Sequence, residues 1–114
     1  MVNEIPDVVF LTLFGDYDAS RGVELEAQLA EARSADIAVI DMGAVTLFDS
    51  TAISALVRLK KRMSWKGGPT AIRLINCSEK FERVMRLVGM DAVFEMHGGA
   101  KDALGHLGHM RYAI

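Results

Sequence analysis

Asp49, Ser50 and Thr51 stand between a hydrophobic run, Val45-Thr46-Leu47-Phe48, and a stretch with helical spacing. All three residue types cap helices well, because their side-chain oxygens accept from the backbone N–H groups that a first helical turn leaves without partners. The same place suits an anion, since the helix dipole and its amides favour negative charge there. A hydroxyl on Ser50 or Thr51 is therefore both an ordinary cap and a candidate phosphate acceptor. A phosphate would add about −1.5 to −2 charge, favoured by the dipole and opposed by Asp49, and any docked partner would meet the change. A second acidic pair, Asp16 and Asp18, lies in Gly15-Asp16-Tyr17-Asp18. Gly and Asp commonly end strands, yet the carboxyl ends of strands are also where α/β proteins tend to place function.

Other reactive side chains make poorer sites. Ser50 lies in no Gly-x-Ser-x-Gly elbow, and the chain has neither a P-loop nor a Gly-x-Gly-x-x-Gly. Neither catalytic residues nor a nucleotide cofactor are expected. His97, His106 and His109 cluster towards the C-terminus, and the i, i+3 pair His106 and His109 supplies two ligands where a zinc site needs three or four. Cys77 is the single cysteine, which excludes an intramolecular disulfide and fits a reducing cytosol.

Positioning these residues requires alternating strands and helices. Val8 to Phe14, rich in β-branched and aromatic residues, reads as a strand closed by a turn at Gly15-Asp16. A helix should start at Ala19 or Ser20, with Leu25, Leu29 and Ala32 as its stripe. The unbroken Ile37-Ala38-Val39-Ile40 has the pattern of a central strand with helices on both faces, followed by a turn through Gly43. From Asp49, Ser50 or Thr51 a helix should run to about Met63, burying Ala52, Leu56, Leu59 and Met63, with Ile53 and Val57 widening the stripe. Lys66-Gly67-Gly68-Pro69 stops it before a strand from Thr70 to Ile75. Asn76 or Ser78 caps the next helix, which places Phe81, Val84, Met85 and Val88 inward and ends at Gly89. Val93–Met96 reads as a short strand and Ala100–His109 as a fraying helix weakened by Gly105 and Gly108. The expected fold is α/β: a small, mainly parallel sheet of four to five strands flanked by about four helices.

Composition agrees with one globular domain over residues 1–114, with 51% hydrophobic and 25% charged residues. A net charge of −2 provides no basic field for nucleic acid, and the densest cluster, Arg58-Leu59-Lys60-Lys61-Arg62, reads as a solvated helix face. No apolar run reaches the roughly 18 residues of a membrane span, and the start has neither the basic nor the apolar region of an export signal. Neither nucleic-acid binding nor membrane insertion is expected, and the expected location is cytoplasmic.

Over nearly its whole length the chain resembles a STAS domain of the anti-sigma-factor-antagonist type. Gly15-Asp16-Tyr17-Asp18 resembles the family's Gly-Glu-Leu-Asp turn, and Val45 to Thr51 its hydrophobic run ending in Asp-Ser-Ser or Asp-Ser-Thr. Gly67-Gly68 falls where the family turns into its next strand, and Leu87-Val88-Gly89-Met90 followed by Val93-Phe94 resembles the Leu-x-x-x-Gly-Leu-x-x-x-Phe ending. Such members bind a serine-kinase anti-sigma factor, freeing the sigma factor, until phosphorylation of a hydroxyl in the Asp-Ser-Ser/Thr segment switches binding off. The resemblance thus implies a non-enzymatic regulator of transcription with Ser50 or Thr51 as phosphate acceptor. It also implies a partner surface of Asp16, Asp18, Asp49, Ser50, Thr51, Ile53 and Ser54. The kinase is the implied partner, and a phosphatase would reverse the modification; the oligomeric state stays open. Two positions depart from the pattern: Asp16 replaces Glu, and Ala52 stands where many members have Gly, adding a methyl that would restrict a kinase's approach. Other STAS domains serve as constitutive subunits of stressosomes, transporters or lipid-transport complexes, which is the alternative reading.

Overall fold

The computed structural model describes residues 5–99 and the strand Met110–Tyr112. The elements follow as β1 (Val8–Tyr17), α1 (Gly22–Ala30), β2 (Ile37–Phe48), α2 (Ser50–Ser64), β3 (Ala71–Ile75), α3 (Glu79–Leu87), β4 (Glu95–His97) and β5 (Met110–Tyr112). Short 3-10 turns at Ala19–Arg21 and Met90–Ala92 precede α1 and β4. The five strands lie in the order β4-β3-β2-β1-β5, and every described pair is parallel.

Strand order decides where the helices go. From β1 to β4 the chain steps across the sheet in one direction, and crossovers of a single, right-handed sense then place α1, α2 and α3 on one face. Val9, Leu11 and Leu13 of β1, with Ala38 and Ile40 of β2, meet Leu25 and Leu29 of α1, Leu56 and Leu59 of α2 and Met85 of α3 in the main core. The alternate residues Val8, Phe10, Ile37, Val39 and Ile75 form a second buried cluster on the opposite face, to which no described helix contributes. Helices on both faces of β2 are thus not seen among the described residues. The fourth expected helix, Ala100–His109, lies outside them, as do His106 and His109.

Two expected turns prove to be bulged strand. β2 runs straight through Gly43 to Phe48, and β1 through Gly15 to Tyr17. Thr12 pairs with Asp41 but Phe14 with Ala44, and Gly15 pairs with Val45 but Asp16 with Leu47, so β2 advances one extra residue at each step. An inserted residue of this kind bends and twists a strand without ending it. Asp41 Oδ1 accepts from Gly43 N at 2.9 Å and from Asn76 Nδ2 at 3.1 Å, which pins the first bulge. A Cβ at Gly43 would stand 3.1 Å from Asp41 Oδ1 and 3.2 Å from Asn76 Cβ, so a side chain there would have to push these neighbours aside.

The helix stripes agree with their spacing where sheet lies beneath them. Ala52, Ala55, Leu56, Leu59 and Met63 of α2 are buried, and Ile53 and Val57 pack at the margin. Ser78 caps α3 by accepting from Phe81 N at 3.1 Å, and Gly89, at φ 78°, stands past its end. On α3, however, only Met85 is fully buried, while Val84 and Val88 remain 40% and 55% exposed. The three-residue β4 offers little surface for that helix to cover. Its strand begins at Glu95, two residues later than the apolar pattern suggests, and Phe94 just before it is buried.

Candidate partner-docking site

β1 and β2 end side by side, because Tyr17 pairs with Phe48 and Asp49 N donates to the Tyr17 carbonyl at 3.2 Å. The residues that follow each strand therefore share one corner at the carboxyl edge of the sheet. Both turn into helical structure through an aspartate. Asp18 Oδ1 accepts from Ser20 N at 2.9 Å and from Ser20 Oγ at 2.5 Å. Asp49 Oδ1 accepts from Thr51 N at 3.0 Å, Ala52 N at 3.1 Å and Thr51 Oγ1 at 2.5 Å.

These bonds allocate the hydroxyls of the candidate acceptor segment. Thr51 gives its hydroxyl to Asp49, whereas that of Ser50, the first residue of α2, is exposed and bonds to no described residue. The first-turn amides are also spoken for: Thr51 and Ala52 donate to the Asp49 carboxylate and Ile53 N to its carbonyl at 3.0 Å. A phosphate on Ser50 would find little internal satisfaction and would stand towards solvent, beside an anion. The Thr51 hydroxyl, then the Ala52 amide, hold the Asp49 carboxyl below the usual carboxylate range, while the charge of nearby Asp18 pushes the other way. Asp18 is lowered chiefly by the Ser20 hydroxyl and then by its amide. Both carboxylates are thus anionic near neutral pH, and the corner carries two fixed negative charges.

The remaining expected residues distribute around this corner. Asp18 and Thr51 line one open groove of about 440 Å³ between the starts of α1 and α2, together with Val23 and Arg58. Ile53 is half-buried and packs on the core, while Ser54 is exposed one turn after Ser50. Asp16 points its carboxylate at the Thr46 hydroxyl of β2 and takes no part in the Asp49 cap. Ala52 corrects the expectation of an obstructing methyl: it is 2% exposed and belongs to the core, because its position on α2 faces the sheet.

Arg21 escapes a reading of motifs, yet it braces the corner. Its Nη1 donates to the carbonyls of Phe14 at 2.8 Å and Asp16 at 3.1 Å, and its guanidinium binds Glu24 through bonds of 3.0 and 2.7 Å. The same group lies 4.0 Å from the Tyr17 ring centre, and Glu24 raises its pKa still further above the ordinary value. Tyr17 is buried and its hydroxyl donates to Gln28 Oε1 at 3.0 Å while accepting from Phe14 N at 3.2 Å. Gly15, at φ 81°, lets the chain pass under this clamp, where a Cβ would meet Arg21 Nη1 at 3.1 Å. The only local signal of this arrangement is the Arg21, Glu24 spacing of three. Exposed Phe14 (54%), Val23 (87%) and Leu47 (45%) add apolar area to β1, α1 and β2 at this end of the sheet.

Elsewhere the reactive groups are quiet. Burial, then Glu82 and Asp41, push the Cys77 thiol up to about 12, so it stays protonated and unreactive. His97 Nε2 lies 3.2 Å from Glu95 Oε1, and no metal-binding cluster occurs among the described residues. No described helix is long and apolar enough to cross a membrane.

Solved structures share this architecture at low identity. A Thermotoga maritima protein described as an anti-sigma factor antagonist is 17% identical, with a TM-score of 0.69 over 87% of this chain and 88% of that one. The Bacillus anti-sigma factor antagonist SpoIIAA, solved in its phosphorylated form, is 16% identical, with a TM-score of 0.59 over 82% of this chain and 84% of its own. The STAS domain of a Vibrio cholerae SulP transporter is 15% identical, with a TM-score of 0.54 over 90% and 83%. No curated protein matches the chain by sequence. The STAS domain profile, in contrast, matches residues 1–103, nearly the whole sequence, and the chain belongs to that family.

Proposed function

We propose that this chain is an anti-sigma-factor antagonist that docks on a serine-kinase anti-sigma factor and is released by phosphorylation at Ser50. The observation that carries this reading is the difference between two neighbouring hydroxyls: that of Ser50 is exposed and bonds to no described residue, and that of Thr51 is committed to Asp49 at 2.5 Å. A kinase needs a hydroxyl it can align with a phosphoryl donor, and Ser50 meets that need without breaking a cap. The docking surface comprises Asp18, Asp49, Ser50, Thr51, Ile53 and Ser54, with Asp16 at its edge and Val23 within the adjoining groove. The protein does no chemistry itself; it presents a surface whose charge the partner changes and a phosphatase restores. A dianion added beside Asp49 and Asp18 would have to be desolvated among like charges on docking, which weakens the complex.

Intact and fragment mass of the protein from its own cells, beside a phosphatase-treated control, tests this. A phosphate on Ser50 is the expected result. Its absence in both growing and stressed cells would sink the switch and leave the second reading, a constitutive subunit of a stressosome, transporter or lipid-transport complex. Likeness to the SulP transporter domain favours that alternative, since it joins this fold to an assembly.

A further inference from the structure

The basic run of α2 is not the uniform solvated face that its sequence suggests. Lys60 turns to Thr70, bonding its carbonyl at 2.8 Å and its hydroxyl at 3.0 Å, and Arg58 pairs with Glu26 of α1. Lys61 and Arg62 have no carboxylate partner among the described residues, nor does Arg33 just beyond α1. These three cations converge on one groove of about 520 Å³ between α1 and α2. Leu29, Ala30, Ala55 and Leu59 line it, and the small alanines leave room between the two helices. Trp65 closes one end, 76% exposed, with the Arg62 guanidinium 4.9 Å from its ring centre.

We propose that this groove docks an acidic amphipathic helix of a partner protein, beside the Ser50 corner, whose groove it meets at Glu26, Ala55 and Arg58. Charge complementarity points to that occupant. An apolar channel edged by three unpaired cations and an aromatic anchor fits a helix with an apolar stripe flanked by carboxylates. The groove's α2 wall runs from Ala55 to Trp65, about 15 Å at 1.5 Å per residue, enough for roughly three turns of such a helix. A nucleic-acid backbone fits less well, because Leu29, Ala30, Ala55 and Leu59 make much of the groove apolar and offer a phosphate no donor. A membrane surface fits less well too, because the apolar residues lie within a concave groove.

Trp65 is the single tryptophan of the chain, so its emission reports on the groove directly. The full chain is titrated with a helical peptide of Leu and Glu arranged as an amphipathic helix, and with the same peptide carrying Lys for every Glu. A saturable blue shift with the acidic peptide alone is expected. It should weaken at least tenfold in the Lys61→Glu, Arg62→Glu double variant, whose circular dichroism should match the parent, and should weaken as salt rises. Equal response to both peptides, no saturable response to the acidic one, or a response confined to a single-stranded oligonucleotide or anionic phosphatidylglycerol vesicles would overturn the proposal.

Discussion

Asp18-Ala19-Ser20 and Asp49-Ser50-Thr51 are the same device used twice. In each, an aspartate that follows a parallel strand accepts the amide and the hydroxyl two residues on, the hydroxyl at 2.5 Å in both. They differ in what lies between and beneath. The first spans Ala19, opens a 3-10 turn with no buried residue and is braced from outside by Arg21. The second spans Ser50, opens the 15-residue α2 with five buried residues and leaves the exposed Ser50 hydroxyl without a bond to any described residue. Two equivalent caps thus differ in what they leave over: one is tied to the end of β1 by Arg21, and the other leaves an exposed hydroxyl outside the cap.

The sharpest way to break this comparison is to charge both sites. Ser50→Asp should weaken binding to the proposed kinase partner by about ten- to a hundredfold, or about 1.4–2.7 kcal/mol, in a titration calorimeter, while Ser20→Asp changes it less than threefold. Equal losses would mean that the whole corner, and not Ser50, senses charge. Next in size, Gly15→Ala should cost about 1–2 kcal/mol in urea unfolding, since it imposes a side chain at φ 81° beneath Arg21. Stability left unchanged would show that the clamp yields.

Removing the caps asks which one matters to the fold. Asp49→Ala should lower the thermal midpoint by about 5 °C and Asp18→Ala by about 2 °C, because Asp49 caps a helix with five buried residues and Asp18 a 3-10 turn with none. The smallest effect is on acid stability. Both carboxyls are lowered in the folded state, so their contribution is present above the ordinary value of 3.8 and is lost as pH falls through the folded values. Asp49→Asn should therefore flatten the stability profile below about pH 4, where the parent declines. A parallel decline in parent and variant would assign the acid limb to other groups, such as Asp36, lowered by the Asp7 amide and then Lys66.

Some of this was legible along the chain because it rests on short-range contacts. The stripe of α2, the Ser78 cap and the stop at Gly89 depend on residues three to five apart, where side-chain type and spacing define the geometry. The bulges were not legible: Gly43 reads as a turn, and the pairing with β1, together with the bonds that Asp41 accepts from Gly43 and from Asn76 just past β3, keeps β2 extended. The exposure of Val84 and Val88 likewise depends on how short β4 is.

By itself the sequence determined the alternation of strands and helices, a cap within Asp49-Ser50-Thr51 and the presence of two hydroxyls after Asp49, since each follows from local propensity and hydrogen bonding. Tertiary structure alone decided which hydroxyl is unbonded, which face the three helices share, how Arg21 ties the end of β1, and which cations of α2 meet in a groove. Those outcomes require parts of the chain far apart in sequence to be brought into contact, and strand order and register set that contact.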